Sequence, residues 1–348
     1  MLNDIVKPLT EWYRQNKRSL PWRDRHNAYY TWVSEIMLQQ TRVEAVKPYF
    51  CRFTEELPDP AALAECPEEK LLKLWEGLGY YNRVRNMQIA AQTVVEEYDG
   101  VLPASYEKLL SLKGIGSYTA GAIASIAYDI PVPAVDGNVL RVITRIIEDD
   151  GDIMKQSVKK RIENKLQEIM PGEYPGDFNQ ALMELGAVVC VPNGEPKCDV
   201  CPVAFCCGAR AHGTIDRFPV KAQKKDRKLE DRTVLVIQDG EKTAIRRRPS
   251  RGLLAGLYEL PNLKGHLSEE EVLESVKAMD LEPLRIEALP EAKHIFSHIE
   301  WRMTAYRVRV SSLEEIRQND LLFVGKRQSD DQYAIPSAFS AYTKYIRE

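Results

Sequence analysis

The sequence predicts a multi-domain protein: an all-α part over residues 1–218, a linker over 219–232, and a small α+β domain over 233–348. Three observations carry this. A chain of 348 residues that is 44% hydrophobic is long enough for about two cores and too apolar to stay disordered. Apolar residues recur at three- and four-residue spacing through the N-terminal part, whereas alternating and β-branched runs begin after about residue 218. Between them "VKAQKKDRKLEDR" is charged, proline-flanked and poor in large apolar side chains, as a linker is.

Taken in order, the start "MLNDIVKPLTEWYRQNKRSL" carries charge early and no apolar run, so it does not read as a secretion signal. The stretch "PEEKLLKLWEGLGYYNRVRNMQIAAQTVVEEY" has helical spacing, as does "VKKRIENKLQEIM", which Pro171 and Gly172 end. The least polar segment, "AGAIASIAYDIPVPAV", is broken by Asp129 and two prolines and falls short of a membrane span. A cytoplasmic protein without a membrane partner is the expectation. In the tail, "TVLVIQDGEKTAIRRR" reads as strand, Asp239-Gly240 turn and strand. "HIEWRMTAYRVRV" puts Ile299, Trp301, Met303 and Ala305 on one face of another strand, and "LSEEEVLESVKAMD" is a helix with an acidic first turn. The net charge of −3 hides basic clusters such as "IRRRPSR", which also read as solvated loops, so charge excludes little.

Three features carry chemistry. Five of the seven cysteines crowd into one loop as Cys190, Cys198, Cys201, Cys206 and Cys207. Four thiolates at such spacing hold zinc or a 4Fe–4S cluster, and one CxxC flanked by outlying cysteines favours iron–sulfur. Cys206 and Cys207 compete for the fourth place, which is assigned to Cys207; Cys51 and Cys66 read as buried core thiols. Second, "LKGIGSYTAGAIAS" sets Gly114 and Gly116 in a turn between two helices, leaving backbone N–H groups open at a helix start. That is a phosphate nest or a plain helical turn. Third come two carboxylates. Glu35 in "YTWVSEIMLQQT" is either a desolvated acid with a raised pKa or a first-turn Glu after an N-cap Ser34. Asp136 in "IPVPAVDGNVLRV" opens a helix; a capping carboxylate stays ionised, the state that steadies an oxocarbenium-like sugar.

The hairpin and the cysteine loop resemble those of the endonuclease III superfamily of DNA base-excision glycosylases. The first two cysteines here are separated by seven residues, where most iron–sulfur members have six. In the bifunctional members a lysine stands at the position of Tyr118; a phenol forms no Schiff base, which implies base removal without strand cleavage by that route. "WVSEIMLQQT", "GLGYYNRVRNM", "LKGIGSYTAGAI", "PAVDGNVLRV" and "FNQALMELGAVVC" together resemble the MutY branch, the adenine DNA glycosylases. That resemblance implies that Glu35 protonates adenine, that Asp136 steadies the sugar cation beside Tyr118, and that Trp22, Arg23, Leu38 and Gln180 line the adenine pocket. It also implies that Gln40 and Tyr80 enter the stack around the opposite base. The tail resembles a Nudix domain but lacks the arginine-led acidic run of the hydrolases. Its "HIFSHIEW" is similar to the branch's loop that reads 8-oxoguanine, with Phe296 as a wedge and Ser297 and His298 as hydrogen-bonding groups. The implied partner is double-stranded DNA with A opposite 8-oxoguanine, bound by a monomer. A pyrimidine-lesion glycosylase, a non-enzymatic iron–sulfur DNA-binding protein and a nucleotide pyrophosphatase are the competing readings.

Overall fold

In chain order the helices are α1 (Val6–Asn16), α2 (Ala28–Leu38), α3 (Val43–Glu56), α4 (Pro60–Glu65), α5 (Glu68–Leu74), α6 (Asn82–Glu97), α7 (Tyr106–Ser111), α8 (Ser117–Tyr128), α9 (Gly137–Ile147), α10 (Gln156–Gln167), α11 (Pro175–Val188), α12 (Gly208–Ala211), α13 (Glu269–Lys277), α14 (Lys326–Asp331) and α15 (Ser340–Thr343). The strands are β1 (Lys228–Asp239), β2 (Lys242–Arg247), β3 (Tyr258–Glu259), β4 (Asn262–Lys264), β5 (Pro283–Ile295), β6 (Ile299–Val310) and β7 (Leu321–Val324). The computed structural model describes residues 2–23, 27–222, 226–311 and 320–346. They form two compact units, Met1–Cys66 with Asn82–Gln223, and Pro67–Tyr81 with Lys224–Glu348.

The first unit is helical. One of its cores gathers Leu9 and Tyr13 of α1, Val139 and Ile143 of α9, Ile162 of α10, and Phe178 and Leu182 of α11, all nearly inaccessible to water. The extended run between α8 and α9 is tied into this unit from several sides. Asn179, fully buried on α11, accepts from the Ala134 N–H (3.0 Å) and donates to the Val132 carbonyl (2.9 Å) and Ser125 Oγ (2.8 Å). Gly121 brings α8 so close that a Cβ there would lie 2.4 Å from the Pro133 carbonyl oxygen. These contacts fix where the run delivers Asp136.

The second unit is a mixed sheet ordered β3-β2-β1-β6-β5, with β4 added to β1 and β7 to β2. β1 and β6 run parallel from Lys228↔Ile299 to Gln238↔Arg309; β5 pairs antiparallel with β6. Alternation sends Val234, Val236, Trp301 and Met303 to one face, under Phe339 and Tyr342. Leu235, Ile237 and Val308 meet Val272 and Val276 of α13 on the other. The acidic first turn of α13 is held by a capping box between Ser268 and Glu271.

Three expectations change. The helical stretch from 67 to 98 is two helices, broken where Gly77, Gly79 and Tyr80 adopt φ of 98°, 68° and 48°. Its first part belongs to the second unit: Lys73 Nζ donates to the Ser329 and Tyr333 carbonyls (3.2 and 3.0 Å), and Glu76 accepts from the Ile335 N–H (2.7 Å). β1 begins at Lys228, inside the segment read as linker, because β6 offers it a parallel partner from Ile299 onward. Cys51 is exposed, not buried, since the inward face of α3 is already filled by Val46, Phe50 and Phe53; Cys66 is buried as expected.

Candidate active site

A cavity of about 540 Å³ opens in the first unit. It brings together Glu35, Tyr118, Asp136, Trp22, Arg23, Leu38, Gln40 and Gln180 from five separate stretches of chain.

Glu35 lies in the last turns of α2, whose N-terminus is capped by Asn27 accepting from the Tyr29 and Tyr30 N–H groups (2.8 and 3.2 Å). The N-cap alternative at Ser34 is therefore excluded: Ser34 sits inside the helix and donates to the Thr31 carbonyl (2.9 Å). Glu35 is 7% exposed and accepts a short hydrogen bond from the Tyr118 hydroxyl. Burial lifts its pKa to about 7, opposed by the Tyr118 bond, helped by the charge of Asp136 and opposed again by Arg23. A carboxyl with that value exchanges a proton at neutral pH. Burial drives the Tyr118 phenol well above its ordinary range, so it remains a neutral donor.

Asp136 is the N-cap of α9. Its Oδ1 accepts from the Val139 N–H and its Oδ2 from Asn138 Nδ2, both at 2.7 Å. The capping and cavity-lining readings thus hold together. Its pKa is nevertheless raised, chiefly by burial, against the Val139 and Asn138 donors and the Arg141 charge. What favours the ionised form is this set of donors, not exposure to water. Arg141 braces the set: Nη2 donates to Asn138 Oδ1 (2.8 Å) and the Gly186 carbonyl (2.7 Å), and Nε donates to the Cys190 carbonyl (2.8 Å).

The other wall belongs to α11, where Gln180, Met183, Glu184 and Ala187 form one helical stripe facing the cavity. Glu184 is completely buried. Arg18 donates to it from Nε (2.6 Å) and Nη2 (3.0 Å), and Arg23 from Nη2 (2.7 Å). Burial alone would raise its pKa, but those guanidinium bonds overcome it and the carboxyl stays below its ordinary value. Sequence reading missed Arg18 and Glu184. The signal was a carboxylate one turn beyond Gln180 on the same helix face.

Gly114 and Gly116 shape the turn before α8. Gly114 has φ 79°, and a Cβ there would stand 2.8 Å from Asn86 Cβ. Gly116 is the N-cap of α8, and no side chain closes that helix start. A helix start without a side-chain cap leaves its first N–H groups as candidate anion donors.

Cys190, Cys198, Cys201 and Cys207 line one small cavity, walled by aliphatic side chains and by Arg145 and Arg210. Cys206 lies outside it, its thiol turned to the Val203 carbonyl (3.4 Å). Among the described residues no three His, Cys, Asp or Glu side chains are grouped to hold a single metal ion. Four thiols lining one hollow fit a metal centre held by thiolates. Burial raises the Cys201 thiol to about 12, and Arg145 Nη1 donates to Cys190 Sγ (3.2 Å). A buried cationic donor such as Arg145 suits a thiolate ligand at Cys190.

The family model described as the HhH-GPD superfamily of base excision DNA repair proteins matches residues 33–171, and a NUDIX domain model matches 233–345. An adenine DNA glycosylase of Mus musculus is 36% identical, covering 86% of this chain and 69% of that protein. One from Buchnera aphidicola subsp. Baizongia pistaciae is 32% identical, covering 85% and 83%. The chain belongs to the adenine DNA glycosylase family. Among solved structures, a thermostable thymine-DNA glycosylase is similar with a TM-score of 0.54 and 25% identity, over 60% of this chain and 96% of that one.

The remaining residues expected from that family lie in the second unit. Phe296 and Ile299 close a tight turn between β5 and β6 through the Phe296 N–H and the Ile299 carbonyl (2.8 Å). Ser297 and His298 are exposed at its tip, and Ser297 Oγ shares a hydrogen bond with the Tyr80 hydroxyl (2.7 Å). Phe296 is half-buried, edge-on to Trp301 (5.0 Å between centroids) and His294 (4.6 Å). In this state the ring expected to act as a wedge anchors its own turn. No helix of the described residues is long and apolar enough to cross a membrane.

Proposed function

We propose that the chain is a monofunctional glycosylase that hydrolyses the N-glycosidic bond of adenine mispaired with 8-oxoguanine or G in double-stranded DNA. The observation that carries this is the meeting of Glu35, Tyr118 and Asp136 in one cavity, with Glu35 poised at about 7.

The adenine must leave the duplex to be reached, at an unstacking cost of a few kcal/mol that pocket and backbone contacts offset. Trp22, Arg23, Leu38 and Gln180 would enclose the base. Glu35 in its acid form gives its proton to the adenine ring at N7, making the base a neutral leaving group. The ionised Asp136, held by the Val139 N–H and Asn138, faces the cationic sugar as the bond breaks and water completes hydrolysis. Tyr118 aligns Glu35 and supplies no amine, so no Schiff base forms on it. The Gly114–Gly116 turn grips phosphate, while Gln40 and Tyr80 hold the gap. Ser297 and His298 read the oxidised guanine, and Phe296 supports them. Cys190, Cys198, Cys201 and Cys207 would hold a 4Fe–4S cluster, which supplies a rigid cross-link for the loop and a redox-capable centre. Chemistry is assigned to the helical unit and recognition to the unit of Pro67–Tyr81 with Lys224–Glu348, in a protein working as a monomer.

The test uses a duplex with A opposite 8-oxoguanine. Free adenine should appear while the strand stays whole until alkali is added. Strand cleavage without alkali, trapped in good yield by borohydride, or release of an oxidised pyrimidine in place of adenine, would overturn the proposal.

A further inference from the structure

We propose that Glu184 is a positioning residue for excision: it fixes the guanidiniums of Arg18 and Arg23 as one wall of the base cavity and halves the positive charge that wall presents. The inference rests on the adenine-excision reading above and assigns a role to a residue that reading does not use.

Glu184 makes no contact with water, yet it carries a full carboxylate on the cavity-facing stripe of α11. A buried charge persists only when paired and hydrogen-bonded, and here both oxygens are engaged. Oε1 accepts from Arg18 Nε and from the Arg18 backbone N–H (2.6 and 3.2 Å); Oε2 accepts from Arg18 Nη2 and Arg23 Nη2 (3.0 and 2.7 Å). Arg23 is further held by its own bond to the Arg18 carbonyl (3.0 Å), and its guanidinium lies 5.5 Å from the centre of the Tyr13 ring. Its side chain is only 12% exposed, so it is pinned. Two cations on one anion leave a net single positive charge on that wall.

That residual charge matters because a proton must be delivered inside the cavity. The other charged and titratable groups around Glu35 are Tyr118 of α8, Asp136 at the start of α9 and Lys159 of α10. Arg83 of α6 binds the Ile36, Met37 and Gln39 carbonyls at the end of α2. Arg23 acts on Glu35 in the direction that favours loss of its proton. A base that becomes cationic during excision is disfavoured by the same charge. Glu184 opposes both effects without touching the base.

The experiment compares single-turnover adenine release across pH for the full chain, Glu184→Gln and Arg18→Gln. The wild type is measured first; if it releases no adenine, the parent reading fails and this one is not at issue. Glu184→Gln leaves two uncompensated cations, so the alkaline limb should move down by about half a pH unit or more. Release at pH 8 should then fall about three- to tenfold. Arg18→Gln, at a side chain 35% exposed, removes one cation and should move the limb up. Opposite shifts in the two variants support the proposal. A slower Glu184→Gln enzyme with an unmoved limb would mean that Glu184 only holds the fold, and would overturn it. If Glu184→Gln does not fold, Arg18→Gln decides: an unmoved or lowered limb overturns the proposal.

Discussion

Replacing Glu35 with Gln separates its chemistry from its burden on stability. The acid form does the work, and its pKa of about 7 sets how much is present. Roughly nine-tenths is protonated at pH 6, half at pH 7 and a tenth at pH 8. Single-turnover adenine release should therefore be near its maximum around pH 6 and fall about tenfold per pH unit above 7, while on the acid side it falls as Asp136, whose pKa burial raises, takes up a proton. Glu35→Gln should bind duplex normally and lose about 100- to 10,000-fold in rate, the span general acids supply. Linkage fixes the sign of the stability effect. The folded pKa is raised above the ordinary 4.5, so the neutral carboxyl is no burden below 4.5. Stability is then lost as pH rises from 4.5 through the folded value, and the loss is complete above it. At about 1.4 kcal/mol per pH unit, the gap between 4.5 and about 7 amounts to about 3 kcal/mol. Gln carries no such burden. The stability of Glu35→Gln relative to wild type, from urea unfolding, should rise by about that amount between pH 4.5 and 7.5. Parallel stability profiles, or wild-type excision by the variant, would refute the assignment of a buried neutral acid.

Other outcomes follow from the same geometry. Tyr118→Lys puts an amine where the phenol meets Glu35, so borohydride should trap enzyme on DNA in this variant and not in wild type; equal trapping in both would place the nucleophile elsewhere. Purified protein should be brown and contain iron and sulfide. Cys201→Ser should lose the visible absorption while Cys206→Ser keeps it, and the reverse pattern would mean that the wrong thiols line the cavity.

Much of this was legible in the sequence, and what was not has a physical reason. Period and glycine placement identified α8, the Gly114 turn and the β1–β2 hairpin, because local backbone conformation decides them. Glu35 and Asp136 were identifiable as carboxylates in special settings; the donors to Asp136 are its own neighbours Asn138 and Val139, whereas the hydroxyl that meets Glu35 comes from Tyr118, 83 positions along the chain. The Glu184 pairs illustrate the limit: Arg18 and Glu184 stand 166 positions apart, and no spacing rule joins them. The break between α5 and α6 was masked because "WEGLGYY" keeps apolar residues at helical intervals while two glycines and Tyr80 turn the backbone left-handed. Phe296 read as a free wedge since sequence shows an aromatic in a loop and cannot show Trp301 beneath it.

The most direct test of the whole account is adenine release from three duplexes that differ only in the base opposite: 8-oxoguanine, guanine and thymine. At low enzyme, release should be fastest opposite 8-oxoguanine, slower opposite guanine and absent opposite thymine. Ser297→Ala with His298→Ala should erase about ten- to a hundredfold of the first preference, the worth of one or two lost hydrogen bonds at about 1–3 kcal/mol. The rate at saturating enzyme should change little, since Glu35 and Asp136 are untouched. Equal release from all three duplexes by the wild type, or equal losses on all by the double variant, would contradict the claim that adenine is chosen through its partner.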